Sequence, residues 1–307
     1  MPRKSDPLLP KNLLLGWLFA AVAGPLTLLL AALGQAFGAM LGGCTWIGLS
    51  LPLDRPVWAL VNEPSIHFAS LGAAGGYWLG SLVVTLFLAL TATTLLPRPR
   101  TVAAELGVTH LGWGAAAIGV GWLPLLDLSD GHLAHWLDLH RLPAWWIWLP
   151  SLAAAAAAML VALRLLALLQ TARKVSGRPT RVLVVVLHLG FPALAWVVLA
   201  GLLRGQVPVP AFIGILLPFV AAVVIAVIGY PEAYVHRLEP VAAASFIRGL
   251  VALLVLWALI LVAGRPLPGG RATGLLWGRP LASNNIRPWV RPVQVLGREP
   301  RLPGVVE

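Results

Sequence analysis

Charged residues are scarce in this chain. Only 11% of its 307 residues are Asp, Glu, Lys or Arg, whereas soluble proteins carry about 25%. Apolar residues make up 59% of the chain, and the mean hydropathy is +0.87. A surface this poor in charge excludes a soluble enzyme, so the solvent for most of the chain must be lipid.

Cysteine and acidic residues are also few. Cys44 is the single cysteine, which excludes an intrachain disulfide and a cysteine-based metal cluster. The 11 acidic residues are outnumbered by 22 basic ones, 19 of them arginine, and the net charge is +11. Because arginine suits phosphate headgroups and the flanks of membrane spans, we expect the lipid bilayer, and not nucleic acid, as the partner of this charge.

The chain is rich in long apolar stretches. Backbone polar groups in lipid must be satisfied within their own segment, so each stretch is expected to form a helix. The sequence therefore predicts an all-α polytopic membrane protein with about seven transmembrane helices, roughly six to eight being compatible with the length. The predicted spans are residues 12–43, 75–96, 106–126, 143–170, 182–203, 210–228 and 250–264. Arg164 lies near one end of the fourth span, where we expect its side chain to snorkel to the headgroups.

Three regions divide the chain: a basic N-terminal tail (1–11), the helical domain (12–264) and a basic, Pro-rich C-terminal tail (265–307). A long loop follows the first span, and the alternation around residues 45–53 predicts a short hairpin or a re-entrant segment. Basic residues in the short loops place the N-terminus in the cytoplasm and leave the side of the C-terminal tail open. We expect an integral protein of the bacterial inner (cytoplasmic) membrane.

A cluster of tryptophans surrounds the start of the fourth span, at positions 136, 145, 146 and 148. Tryptophan is enriched where a membrane helix meets the headgroups. The cluster therefore predicts an aromatic belt.

Glycines recur at four-residue spacing on the first two predicted helices. Gly34, Gly38 and Gly42 share one face of the first, and Gly76 and Gly80 open the second. Since glycine lacks a Cβ, backbones can approach closely at such a face. The spacing predicts close helix packing, either between these two helices or, together with the C-terminal tail, against a membrane-protein partner.

Two segments carry a resemblance to a known family. Residues 31–39 and 41–49 resemble the first signature of the site-2 protease family of intramembrane zinc metalloproteases, in which an H-E-x-x-H helix runs into a membrane-associated hairpin. Residues 121–132 resemble the second signature, whose turn supplies an Asp as third zinc ligand, matched here by Asp130. The resemblance implies a core in which the first and third helices meet at the site.

The zinc chemistry of that family is not retained. Ala31, Ala32 and Gln35 stand where the zinc site needs His, Glu and His, so two imidazole ligands and the general base are missing. A lone Asp130 can neither hold zinc nor generate hydroxide. We therefore expect a protease-like scaffold without protease activity or cofactor, acting as a structural or regulatory subunit of a membrane complex.

A second class of function depends on the polar cluster after the third span. Asp127, Asp130, His132 and His135 lie there, and on a helix His132, His135 and Asp138 would share one face. Two imidazoles and a carboxylate can bind zinc or iron, although a solvated interfacial turn explains the same residues. The alternative is thus a membrane metalloenzyme or a redox subunit that binds haem or quinone.

Two further histidines, His110 and His188, lie within the third and fifth spans. An ionisable side chain in lipid is a candidate functional residue, and two such imidazoles could ligate a haem or bracket a quinone. The alternative is that each histidine is an ordinary hydrogen-bonding group between helices. A lipid or small-molecule transporter is the remaining alternative. It is less favoured because acidic residues occur only near the ends of the spans.

Overall fold

The computed structural model describes residues 5–41, 45–50, 58–62, 71–95, 101–125, 143–173, 176–204, 209–229, 239–263 and 275–278. Helices dominate these residues, as the composition predicts. The α-helices are α1 Pro10–Leu41, α2 Leu71–Leu90, α3 Val102–Gly114, α4 Trp148–Arg173, α5 Arg178–Val185, α6 Phe191–Arg204, α7 Val209–Ile228 and α8 Ala243–Ala263.

Wider π-helical segments interrupt or extend several of these helices. Thr91–Leu95 extends α2, Ala115–Trp122 extends α3, and Val186–Gly190 joins α5 to α6 into one continuous span. A short 3-10 turn, Ala144–Ile147, precedes α4. Such π segments shift the regular backbone hydrogen bonds and are frequent at functional sites.

Five helices of the described residues are long and apolar enough to cross a membrane. They are Pro10–Gly38, Val102–Leu125, Trp148–Arg173, Arg178–Leu199 and Ala211–Ile228. Shorter apolar helical stretches, Leu79–Thr94 and Ala243–Ala258, lie within α2 with its extension and within α8. This is the architecture of an α-helical membrane protein, and each predicted span coincides with a helix.

The helices alternate in direction between two ends of the bundle. Asp6, just before α1, pairs with Arg173 at the end of α4, with 2.6 Å between Oδ2 and Nε. Arg181, in the first turn of α5, donates to the carbonyl of Ala226 near the end of α7. The beginning of α3 donates a backbone hydrogen bond to Glu239, which precedes α8. We call this the N-terminal end of the bundle, because α1, α3, α5 and α8 all begin there.

A small sheet follows α1 at the opposite, far end of the bundle. Strand β1, Thr45–Ser50, pairs antiparallel with β2, Trp58–Asn62, and with β3, Leu275–Gly278, in the order β2-β1-β3. Of the two alternatives predicted for residues 45–53, the hairpin is therefore the observed one. Because β3 pairs with β1, the described part of the C-terminal tail lies at the far end, away from the N-terminus.

The far end also carries exposed tryptophans. Trp145 and Trp146 lie in the turn before α4, with ring centroids 5.6 Å apart, and Trp148 begins α4. All three side chains are exposed, as an aromatic belt requires. The fourth member of the predicted belt, Trp136, lies outside the described residues.

The centre of the bundle is α3 with its π extension. Most residues from Val102 to Leu125 are buried, and almost all of the others are partly buried. The reason is that α1, α2, α4 and α7 pack around this segment. A Cβ added at Gly119 would lie 2.6 Å from the Thr85 side chain of α2, and one at Gly121 would overlap the carbonyl of Gly214 in α7. Small residues thus let neighbouring helices approach α3 on several sides.

Glycines also bring α1 and α2 into backbone contact. A Cβ at Gly34 would overlap the Gly80 carbonyl, and a Cβ at Gly80 would overlap the Gly34 carbonyl and lie 3.0 Å from Cα of Gly38. This glycine face is therefore occupied by the chain's own helices. Of the remaining predicted packing residues, Gly76 lies in α2 and Gly42 lies outside the described residues.

Arg164 is buried, so the expectation that it snorkels is wrong. Its side chain is 5% exposed and forms a two-pronged ion pair with Glu105, with Nε to Oε1 at 2.6 Å and Nη2 to Oε2 at 3.1 Å. Its Nη1 donates to the carbonyl of Ala92, at 2.7 Å, in the π segment after α2. One guanidinium therefore ties α4 to α2 and α3 with charge-assisted hydrogen bonds.

The contact between α1 and α2 predicts a specific sensitivity to a single methyl group. Gly80→Ala should lower the free energy of unfolding by about 1–3 kcal/mol, because the added Cβ meets a backbone carbonyl that cannot turn aside. The matched control is Gly107→Ala, where a Cβ would meet only the Phe19 ring at 3.7 Å or more. Unfolding in detergent titrated with dodecyl sulfate measures both variants, and equal stabilities would contradict the backbone contact.

The buried ion pair predicts an asymmetry between breaking and replacing it. Glu105→Gln should destabilise the protein by about 3–5 kcal/mol, because it leaves the guanidinium buried without a counter-charge. The double variant Glu105→Leu with Arg164→Met should recover most of that loss, since apolar replacement of a buried pair is often nearly neutral. The same unfolding assay checks this, and a double variant no more stable than Glu105→Gln would contradict the explanation.

Candidate functional site

The α1 face that carries the protease resemblance is packed inside the bundle. Ala31 and Ala32 are fully buried, and Gln35 is 3% exposed. The backbone contact of Gly34 with α2 lies on the same turns of the helix. These positions supply small side chains and one amide, and no imidazole or carboxylate for a metal.

The polar cluster predicted as a metal site lies outside the described residues. This applies to Asp127, Asp130, His132 and His135. Within the ranges that the structure describes, no group of three or more His, Cys, Asp or Glu residues is placed to hold a metal ion. The metal alternative therefore stays a prediction.

The structure brings together the two histidines that the sequence places on different spans. His110 of α3 and His188 of the π segment between α5 and α6 are both fully buried. Nε2 of His110 lies 3.4 Å from Nδ1 of His188, and the ring centroids are 5.5 Å apart. This separation is within reach of a hydrogen bond between the two rings.

Local backbone features create the space for this pair. A Cβ at Gly16 of α1 would lie 2.7 Å from Nδ1 of His188 and 2.8 Å from Nε2 of His110. The π segment that carries His188 also presents the carbonyl of Leu187 to Trp17, whose Nε1 donates to it at 2.8 Å. Glycine in α1 and the widened turn therefore fix where the two rings meet.

The N-terminal segment before α1 completes the hydrogen bonding of the pair. Nε2 of His188 lies 3.0 Å from the carbonyl oxygen of Pro7. The adjacent Asp6 is fully buried and accepts hydrogen bonds from Leu8 N at 3.0 Å and Arg173 Nε at 2.6 Å. Ser5, Asp6 and Pro7 of the predicted N-terminal tail are thus packed into the bundle.

The direction of these hydrogen bonds follows from the carbonyl at one end. A carbonyl only accepts, so Nε2 of His188 must carry the proton. Neither ring pairs with a carboxylate in the described part of the chain, and a buried imidazole without a counter-charge is more stable neutral. Nδ1 of His188 is then an acceptor, Nε2 of His110 donates to it, and Nδ1 of His110 is left as a free acceptor.

A cavity of about 180 Å³ adjoins His110. Its walls come from α1, α3, α6, α7 and α8, and they are almost entirely apolar. Four tryptophans and a phenylalanine line it, namely Trp17, Trp113, Trp196, Trp257 and Phe191. Ala21, Phe191 and Ala195 also line the cavity and are exposed on the outer surface of the bundle, so the cavity opens sideways toward the lipid.

Two buried polar atoms of the cavity lining have no hydrogen-bond partner among the described residues. They are Nδ1 of His110 and Nε1 of Trp196. Trp196 is held edge-on against Trp122, with ring centroids 6.0 Å apart and planes at 82°. Both residues belong to the cavity lining, and both atoms are buried.

The sequence pointed to the two histidines but not to the tryptophans or to Pro7. The available signal was the position of the tryptophans. Trp113 and Trp196 lie well inside their spans, whereas tryptophan in membrane helices is enriched at the headgroups. The role of Pro7 had no signal, because it acts through its carbonyl, which every residue has.

The hydrogen-bonded chain predicts the tautomer of both histidines. In ¹⁵N-histidine spectra we expect His110 and His188 as neutral rings protonated at Nε2, because each Nε2 donates along the chain. His110→Gln and His188→Gln identify the two sets of signals among the seven histidines. A ring protonated at Nδ1 in either position would contradict the arrangement.

Comparison of the chain with family models, with curated proteins and with solved structures finds no match. The resemblance to site-2 proteases therefore depends on residues 31–49 and 121–132 of the sequence. Any assignment of function must come from the packing of α1 and from the chemistry around His110.

Proposed function

We propose that this chain is a non-catalytic, seven-crossing membrane protein with a core similar to that of site-2 proteases, acting as a structural or regulatory subunit. The observation that carries the proposal is the burial of Ala31, Ala32 and Gln35 inside the bundle. Small, closely packed side chains at the position of the family's zinc site preserve the packing of the scaffold. They leave no group there that could bind zinc or activate water.

The register of α1 against α3 supports the protease-like core. The two helices run parallel, since both begin at the N-terminal end, and a Cβ at Gly114 would lie 3.2 Å from Cβ of Ala23 and from Oγ1 of Thr27. Gln35 comes eight residues after Thr27, which is about 12 Å further along the axis. The same advance of eight residues from Gly114 reaches Trp122, which precedes Asp130 by eight positions.

The alternating helix directions support seven crossings. The five long apolar helices are joined by α2 and α8, which are apolar and run between the same two ends. Basic residues gather at the N-terminal end, where Lys11, Arg173, Arg178, Arg181 and Arg248 lie. By the preference of basic residues for the cytoplasmic side, this end faces the cytoplasm, and the sheet with β3 faces the opposite side.

The protease-like core predicts that Gln35 and Asp130 are neighbours. In a Cys44→Ser background, Gln35→Cys with Asp130→Cys should form a disulfide under mild oxidation, because close Cα atoms can be bridged without moving the backbone. Mass spectrometry of the linked peptides measures the yield.

The matched control is Phe37→Cys with Asp130→Cys, since Phe37 is 62% exposed on the outer face of the same helix. The control pair should cross-link poorly. Equal yields from the two pairs, or no disulfide from the Gln35 pair, would contradict the protease-like core.

The absence of catalysis is tested by the metal content of the same purified protein. We expect no stoichiometric zinc or iron, and a constant membrane-protein partner in mild detergent would support the subunit role. Stoichiometric metal that is lost on His132→Ala and His135→Ala would overturn the proposal in favour of a metalloenzyme.

A further inference from the structure

We propose that the cavity beside His110 binds a lipid-soluble molecule with a phenolic hydroxyl, which enters from the bilayer and donates its hydrogen bond to Nδ1 of His110. This site lies nearer the N-terminal end of α1 than Ala31, Ala32 and Gln35 do, and it includes none of the residues after α3. It stands whether or not the protease-like core is correct.

The size of the cavity limits the ligand to one ring. An apolar cavity of about 150 Å³ accommodates benzene, and this one has a volume of about 180 Å³. A single six-membered ring with a short substituent fills it, whereas a larger fused ring system does not. The opening beside Ala21 and Ala195 lets an apolar tail extend into the lipid.

The wall of the cavity favours an aromatic ring. Trp17, Trp113, Trp196 and Trp257 line the space, and aromatic pairs gain interaction beyond the area that they bury. Trp17 is fixed by its hydrogen bond to Leu187 and by its tilted contact with the Phe191 ring, whose centroid is 4.7 Å away. The wall is thus held in place before any ligand binds.

The polar groups of the lining select a hydroxyl. The hydrogen-bonded chain from Pro7 through His188 to His110 leaves Nδ1 of His110 as an acceptor without a donor. A ketone or ether oxygen cannot donate to it, whereas a phenolic O–H can. Nε1 of Trp196 is a donor without an acceptor and suits an oxygen of the same ligand.

The proposal is tested with three probes of nearly equal size: 4-propylphenol, propylbenzene and 4-propylcyclohexanol. Binding to the full-length protein in detergent micelles is measured by calorimetry, with protein-free micelles subtracted. We expect the phenol to bind about fivefold more tightly than propylbenzene, which is the effect of one buried hydrogen bond. The cyclohexanol should bind more weakly than the phenol, because it lacks the aromatic ring.

Two variants locate the binding. His110→Phe keeps a ring and removes the acceptor, so the preference for phenol over propylbenzene should disappear while propylbenzene still binds. If that variant fails to fold, Ala21→Trp tests the site from outside, because Ala21 is exposed at the opening and a large side chain there should block both ligands. Ala156→Trp, at an exposed position of α4 away from the cavity, is the matched control and should bind as the parent does.

Several results would overturn the proposal. Absence of binding to the parent protein, or undiminished binding to Ala21→Trp, would show that the cavity is not the binding site. Equal affinity for propylphenol and propylbenzene would show that the hydroxyl is not recognised. Equal affinity for the phenol and the cyclohexanol would show that the site does not prefer an aromatic ring.

Discussion

Lipid offers no hydrogen bonds, and the rest of the structure follows from that constraint. Each backbone polar group inside the bundle must find its partner in the protein, and the π segments also offer carbonyls to side chains. The carbonyl of Ala92 in one such segment accepts from Arg164, and the carbonyl of Leu187 in another accepts from Trp17. Side chains that hydrogen-bond to a neighbouring helix at these widened turns fix the helices relative to one another. Contacts between apolar side chains are less directional and fix the helices less specifically.

The same solvent makes close packing the other main source of stability. Helices in lipid gain little from burying apolar area, so they gain from dispersion contacts where small residues let backbones approach. Gly34 with Gly80, and Gly121 with Gly214, are contacts of this kind. They draw α1, α2 and α7 around the buried α3. The cavity beside His110 lies where α1, α6 and α8 carry Trp17, Trp196 and Trp257.

The histidine pair connects these two properties of the bundle. Gly16 leaves room for both rings, and a buried N-terminal segment supplies the carbonyl that orients them. A fixed acceptor at the end of an aromatic cavity open to lipid is an arrangement for recognition. The two proposals concern different stretches of α1, Trp17–Ala21 and Ala31–Gln35, and either can hold without the other.

The sequence by itself determined the class of the protein and the approximate positions of its helices. These features depend on local composition and periodicity, because every apolar segment in lipid must satisfy its own backbone. It also supplied the two glycines that bring α1 and α2 together. Only the tertiary structure decided that Arg164 turns inward, that His110 meets His188 and that Pro7 orients the pair. Those outcomes depend on which partner lies within about 3 Å in space, and residues such as Glu105 and Arg164 are 59 positions apart along the chain. The apolar pattern fixes where each helix lies along the sequence, but the partner of a buried polar side chain is set by how the helices pack.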